Sequence, residues 1–117
     1  MNKRKIGSAY EDQAADYLTA SGYEILERNF RCKIGEIDLI AAVRTGSVRW
    51  IVFTEVKYRT TDMYGRPEEA VTAAKQKTIR RAAQFYLQKN HLPADTPCRF
   101  DVIAIMAGEI RHLKGVF

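Results

Sequence analysis

Four charged residues stand at alternate positions in two apolar runs, Glu36 and Asp38 in "GEIDLIA" and Glu55 and Lys57 in "FTEVK". In an extended chain alternate side chains share a face, so each run presents its charged pair together. An ionised carboxylate in an otherwise buried strand is costly unless something compensates it. The runs flank "RTGS", and a hairpin with Gly46-Ser47 as a two-residue type II′ loop pairs Thr45 with Val48. Carried along both arms, that register sets Asp38 opposite Glu55 and Glu36 opposite Lys57. Directly opposed Cβ atoms lie about 4.5 to 5.5 Å apart, so Asp38 and Glu55 repel unless a cation sits between them. Oxygen ligands of this kind suit Mg²⁺ or Mn²⁺, with water completing the shell and room left for a substrate phosphate. Lys57 shares the face of Glu55, where an ammonium can orient an attacking water and offset charge developing on a phosphoryl group. Acid, acid and amine are the parts of a metal-assisted phosphodiesterase. The plainer alternative is a structural ion-pair cluster. Context favours the site: Glu-x-Lys occurs once in the chain, late in its most apolar run, with Asp38 in register.

The elements that must carry these residues follow from periodicity. "SAYEDQAADYLTASGY" reads as a helix, with Ser8 and Glu11 spaced as a capping box, Tyr10, Ala14, Tyr17 and Leu18 at helical intervals, and Ser21-Gly22 as its stop. "YEILERNF" alternates as a half-exposed strand, "IGEIDLIAAV" is a second, and "VRWIVFTEVKYR" a third, the most apolar and therefore central. "TTDMYGRP" reads as a mobile loop before a long helical pattern, "EEAVTAAKQKTIRRAAQFYLQKN". In that helix Ile79, Ala82, Ala83, Tyr86 and Leu87 form an apolar stripe, while Lys75, Lys77, Arg80, Arg81 and Lys89 lie on other faces. After the break at "HLPADTP", "RFDVIAIM" and "EIRHLK" read as two last strands. The order α-β-β-β-α-β-β is that of an α/β protein, a central mixed sheet flanked by helices in one domain spanning residues 1–117.

Two further polar side chains border the predicted core. Glu11 fits the capping box but also lies three, four and seven residues before Ala14, Ala15 and Leu18, within reach of the sheet. Gln76 opens the buried stripe, either as a satisfied buried amide or as a ligand for water or phosphate. Tyr58, Arg59 and Tyr64 are placed to stack on or hold nucleic acid, and His91 and His112, near element ends without a partner pattern, are expected on the surface.

Composition narrows the class. With 46% hydrophobic and 28% charged residues in 117, the chain has apolar material for a single core. A net charge of +5 suits a polyanionic partner. Cys32 and Cys98 lack metal-type spacing and are expected as reduced thiols in the cytoplasm. Lys3, Arg4 and Lys5 lead into no apolar segment, and no run approaches membrane length, so a membrane partner is not expected.

Three stretches, "GSAYEDQAADYLTASGYEILERNFRCKIGEIDLIA", "VFTEVKYRTTDMYGRPEEAVTAAKQKTIRRAAQFYL" and "CRFDVIAI", resemble the small bacterial YraN-like proteins along nearly the whole chain. By that resemblance the chain falls within the PD-(D/E)xK nuclease superfamily, similar to archaeal Holliday junction resolvases. The resemblance implies a restriction endonuclease-like three-layer fold and a Mg²⁺- or Mn²⁺-dependent endonuclease acting on DNA rather than RNA, on branched or non-duplex structures. It matches Asp38, Glu55 and Lys57 to the superfamily motif, Glu11 to the first-helix acid that joins the metal site, and Lys75-Gln76 to the opening of the second long helix, with Gln76 as auxiliary catalytic group. Glu36 matches the family's Gly-Glu-Ile-Asp run, in an auxiliary role beside Lys57. Arg59, Tyr64, Arg66, Lys75, Lys77, Arg80 and Arg81 are the expected nucleic-acid contacts, and a homodimer is implied because two symmetric nicks need two sites. Ile37 stands where the superfamily name places Pro, and "AVRTGSVRWI" makes a longer hairpin than is usual; equal extension of both arms preserves the Asp38–Glu55 pairing. Two rivals share these residues: a binding protein of the same fold that does not cleave, and a structural or adaptor protein.

Overall fold

A computed structural model of the chain describes residues 3–59, 71–106 and 108–117. The order of elements is the expected one: α1 (Lys3–Ala20), β1 (Glu24–Arg31), β2 (Glu36–Thr45), β3 (Val48–Arg59), α2 (Ala73–Lys89), β4 (Cys98–Met106) and β5 (Glu109–Leu113). The strands form one five-stranded sheet in sequence order. All neighbours are antiparallel except β3 and β4, a parallel pair whose connection contains α2. A parallel pair cannot be joined by a tight turn, which is why the long helix falls at this point in the chain.

Each helix covers one face of the sheet. Ala14, Ala15 and Leu18 of α1 pack on Leu39, Ala41, Val52, Ile103 and Ile105. Ile79, Ala82, Ala83, Tyr86 and Leu87 of α2, the stripe expected from its periodicity, pack on Ile40, Ala42, Ile51, Phe53 and Val102. Both faces of the middle strands are therefore buried, so β3 reads as an unbroken apolar run and occupies the centre. The result is a three-layer mixed α/β protein. No helix among the described residues is long and apolar enough to cross a membrane.

Helix ends differ from the local signals in one respect that matters for the site. α1 continues upstream to Lys3, so Ser8 lies inside the helix and makes no capping box with Glu11. α2 begins at Ala73, its first turn capped by Thr72, whose hydroxyl accepts from Lys75 N at 3.2 Å. The loop reading for Thr60–Pro67, and with it Tyr64 and Arg66, lies outside the described residues. Both helices end in a left-handed residue with the chain folding back: Tyr23 N donates to Leu18 O at 2.9 Å beyond Gly22 (φ 92), and Leu92 N to Leu87 O at 2.8 Å beyond His91 (φ 57).

Candidate active site

The β2–β3 hairpin has the expected register from Thr45↔Val48 to Leu39↔Thr54, turning at Gly46 (φ 63). There the ladder stops, one pair short of Asp38 and Glu55. Instead of pairing through its backbone, Asp38 turns its carboxylate across the gap, and Oδ2 accepts from Val56 N at 2.8 Å. Strict alternation fails at the same point: Ile37 packs on the α2 side and Leu39 on the α1 side. The neighbouring strand shows the matching irregularity. β1 pairs Arg28↔Leu39 and Phe30↔Ile37, and Asn29 between them has φ 53. The sheet splays here, and a carboxylate replaces one rung of the ladder.

Glu55 is 3% exposed and faces the α2 side with Phe53 and Ile51, the face to which Lys57 also belongs by alternation. Lys75, from the first turn of α2, reaches Glu55 Oε2 at 3.3 Å. Burial, and after it the charge of Asp38, pushes Glu55 up to about 7, with Lys75 and Lys57 opposing. Asp38 is raised as well, by burial, against the Val56 N–H and the two lysines. Lys57 is lowered by burial and then by its neighbour Lys75. Lys75 is raised: its burial is outweighed by hydrogen bonding to Lys57 and by Glu55 and Asp38. Two acids and two amines are thus crowded together with little water, the combination that tunes such groups for proton transfer.

Glu11 approaches Asp38 from α1. Burial and the charge of Asp38 raise its carboxyl, and its Oε1 is buried without a hydrogen-bond donor. Glu55 Oε1 is likewise unsatisfied. Glu11 and Glu55 thus each leave one carboxylate oxygen unpaired and each feel the charge of Asp38; hard oxygen donors of this kind are those that Mg²⁺ or Mn²⁺ takes. Among the described residues no three His, Cys, Asp or Glu side chains converge as a ready cage. Asp38 and Glu55 lie side by side, with the Lys75 ammonium beside Glu55.

Other expected residues lie elsewhere. Glu36 does not meet Lys57, because the ladder ends before that pair; it is opposite Arg31 on β1 and forms an exposed ion pair with it at 3.3 Å. Gln76 fills the satisfied-amide role, its Nε2 donating to Val71 O at 3.1 Å and its backbone N to Thr72 O at 2.8 Å. Of the Lys75-Gln76 pair it is the lysine that touches the acids. Lys77, Arg80 and Arg81 are all exposed, Arg80 lying over the Phe100 ring at 5.4 Å. Tyr58 stacks on Tyr10 of α1, ring centres 4.3 Å apart. Arg59 ends β3.

A second buried acid escaped the sequence reading. Asp101 of β4 is fully buried and accepts from Arg99 Nε at 2.9 Å, Arg99 Nη2 at 2.8 Å and Gly115 N at 2.9 Å. His112, expected on the surface, is enclosed with its Nε2 2.6 Å from Asp101 Oδ2, and Arg99 also donates to Tyr23 at 2.6 Å. Burial raises the Asp101 carboxyl, but the bonds from His112, Arg99 and Gly115 outweigh it and hold it below its ordinary range. The signal was available in "RFDV": an Asp in an apolar strand with an Arg two residues away on the same face. Every oxygen here is satisfied, so this cluster ties β4 to β5 and the C-terminal turn, in contrast with the acid site on the central strand.

Fold and site define a mixed α/β protein with a strained acid–lysine cluster at the splayed end of its central hairpin. Residues 10–105 match the model of "Uncharacterised protein family UPF0102", and the chain belongs to that family. The matched span includes Glu11, Asp38, Glu55, Lys57, Lys75 and Asp101. Similar relatives include UPF0102 proteins of Lachnoclostridium phytofermentans, 49% identical over 100% of this chain and 96% of the relative, and of Symbiobacterium thermophilum, 51% identical over 95% and 90%. A third, from Hahella chejuensis, is 52% identical over 84% of this chain and 75% of the relative.

Proposed function

We propose that this protein is a metal-dependent phosphodiesterase of the PD-(D/E)xK, restriction endonuclease-like class, acting on branched or otherwise non-duplex DNA. The observation that carries the reading is the state of Glu55: buried beside Asp38, with one oxygen unpaired and its carboxyl pushed up to about 7. A cluster retained for stability would be satisfied, as Asp101 is. This one destabilises the fold at neutral pH, which is the mark of a site kept for its chemistry.

Asp38, Glu55 and Glu11 would hold the ion, which when bound supplies Lewis-acid polarisation of a phosphoryl oxygen and charge for the carboxylates. Lys57, its amine lowered by burial and by Lys75, is placed to take a proton from a water at the edge of the acid pair. Lys75 offers the positive charge that a phosphate, or the developing pentacovalent centre, would meet. Gln76 acts through Val71 by fixing the first turn of α2, from which Lys75 projects. In-line attack of water then breaks a P–O3′ bond and leaves a 3′-hydroxyl and a 5′-phosphate. A polynucleotide substrate is supported by the net charge of +5 and the exposed cations of α2, and DNA rather than RNA by the resemblance to the nuclease superfamily.

The test is cleavage of branched, single-stranded and duplex DNA, and of RNA, in Mg²⁺ or Mn²⁺, beside Glu55→Gln and Lys57→Ala proteins. Metal-dependent cleavage lost in both variants supports the site. Cleavage unchanged in the variants refutes it, and salt-sensitive binding without cleavage in any form assigns the fold to binding alone.

A further inference from the structure

Along the solvent side of α2 runs a line of cations interrupted by one aromatic ring. Lys77, Arg81, Phe85 and Lys89 follow at intervals of four, so they lie along one side of the helix, and all are exposed. No ion pair among the described residues involves Lys33, Lys77, Arg81 or Lys89. Phe85 is 42% exposed, its ring centre 6.2 Å from that of Phe30, and Lys89 lies over Phe30 at 5.7 Å. The ring is therefore held in place by packing on one edge while its other surface meets water.

Phe85 and Lys89 form one wall of a groove of about 710 Å³, and the turn joining β1 to β2, with Arg31, Cys32, Lys33 and Ile34, forms the other. Ile34 is 43% exposed. The floor is apolar and the rim is cationic, with Glu36 paired to Arg31. The groove leads toward the acid site, because Gly35 closes onto Thr78 of α2 and Lys75, two residues before Lys77, touches Glu55. From Lys77 to Lys89 the helix rises about 18 Å, enough for several nucleotides. Regular cations with a flat ring among them match the repeating phosphates and free bases of a single strand. A duplex keeps its bases stacked inside and offers Phe85 nothing to cover.

We propose that this side of α2 is a track for an unpaired strand, with one base seated on Phe85 beside Ile34 and its phosphates on Arg31, Lys33, Arg81 and Lys89. The inference rests on the polynucleotide substrate proposed above and narrows it to DNA carrying a single-stranded tail. The test is fluorescence anisotropy in EDTA with a blunt duplex, the same duplex bearing an oligothymidine tail, and the tail alone. Wild-type protein should bind the tailed duplex more tightly than the blunt one. Phe85→Leu, which keeps an apolar wall but removes the ring, should weaken binding of both tailed probes roughly tenfold, leaving the blunt duplex and the melting temperature unchanged. Lys33→Gln with Lys89→Gln should weaken tail binding and flatten its salt dependence. Tail binding unaltered in these variants overturns the proposal. So does a Glu-rich peptide carrying one leucine that binds wild type, but not Phe85→Leu, where the tail does not bind; the groove would then belong to a protein partner. Loss of tail binding in Phe85→Leu with no cleavage by any form keeps the track and removes the phosphodiesterase. Glu55-dependent cleavage with tail binding indifferent to Phe85 does the reverse.

Discussion

At pH 8, without metal, the protein holds an ionised Glu55 in the core beside Asp38, and Glu55→Gln removes that charge while keeping its shape. A carboxyl that titrates at about 7 in the folded chain and at its ordinary 4.5 when unfolded favours folding in its protonated form. Its contribution is fully present below pH 4.5 and is lost as the pH rises through 7, a change of about 3 kcal/mol. Asp38 and Glu11, both raised, act in the same direction. Lys57, lowered from its ordinary 10.5, has the opposite sign at the alkaline end, and Asp101, lowered from 3.8, loses its contribution only in acid. Urea unfolding of the metal-free protein should therefore show stability falling between pH 5 and 8. The rise to about 7 already includes the opposing Lys75 ion pair, so Glu55→Gln should gain about 3 kcal/mol at pH 8, or about ten degrees in melting temperature. The same variant should lose the Mg²⁺- or Mn²⁺-induced stabilisation that the proposed site predicts for wild type by mass action. A stability profile flat from pH 5 to 8, or a Glu55→Gln protein less stable than wild type at pH 8, refutes this account of the site.

Lys75→Met should lower metal-free stability at pH 8 by about 1 kcal/mol, since Glu55 loses its nearest cation, yet raise Mn²⁺ affinity in calorimetry because a competing charge is gone; weaker metal binding refutes the competition. Gly35→Ala places a Cβ 2.6 Å from Thr78 Cγ2, whose rotamer is held by its hydroxyl bond to Ala74 O at 3.1 Å, and should cost about 1 to 3 kcal/mol in urea unfolding, most of it recovered in combination with Thr78→Ser. Asp101→Asn leaves Arg99 without its carboxylate and should cost about 3 kcal/mol in the same assay. His91→Gly relieves the left-handed residue closing α2 and should add about 0.5 to 1 kcal/mol by thermal melting, whereas a loss would contradict that backbone geometry.

The pattern of residues makes most of this architecture legible. β3 has the bounds read from its apolar run, Val48–Arg59, and the five residues of the α2 stripe are buried as a helical period requires. Periodicity reports which side of an element is wet, which exposes one face of α2, while an unbroken apolar run reports a strand covered on both faces, as β3 is. The departures involve choices that local pattern does not contain. Ser8-x-x-Glu11 matches a capping box, but a helix can continue past one when upstream residues extend it, and here it starts at Lys3. Lys75 and Gln76 are adjacent, so their spacing alone does not decide which reaches the acids; the direction in which α2 presents its first turn does. His112 lacks any local partner because Asp101 belongs to another strand, and the β4–β5 register, with Ile103 opposite His112, brings them together.

The failure of alternation at Asp38 connects these observations. A regular hairpin would have set Asp38 and Glu55 face to face through the ladder, with Glu36 and Lys57 as the next pair. Instead β1 and β2 change side together at Asn29 and Asp38, Glu36 is carried to the rim beside Arg31, and the Asp38 carboxylate is free to bond to Val56 N. A left-handed Asn costs about 1 kcal/mol, and a missing rung leaves backbone groups to be satisfied by a side chain. A sheet of this size could be stable without either feature. Their joint effect is to set Asp38 beside Glu55 and to pair Glu36 with Arg31, so that two acids meet the two lysines while Glu11 faces Asp38 from α1. Asn29→Gly, which retains the left-handed turn, should preserve metal-induced stabilisation, whereas Asn29→Val, which favours extended backbone, should abolish it. Metal-induced stabilisation surviving in the valine protein would show that the splay is incidental to the site.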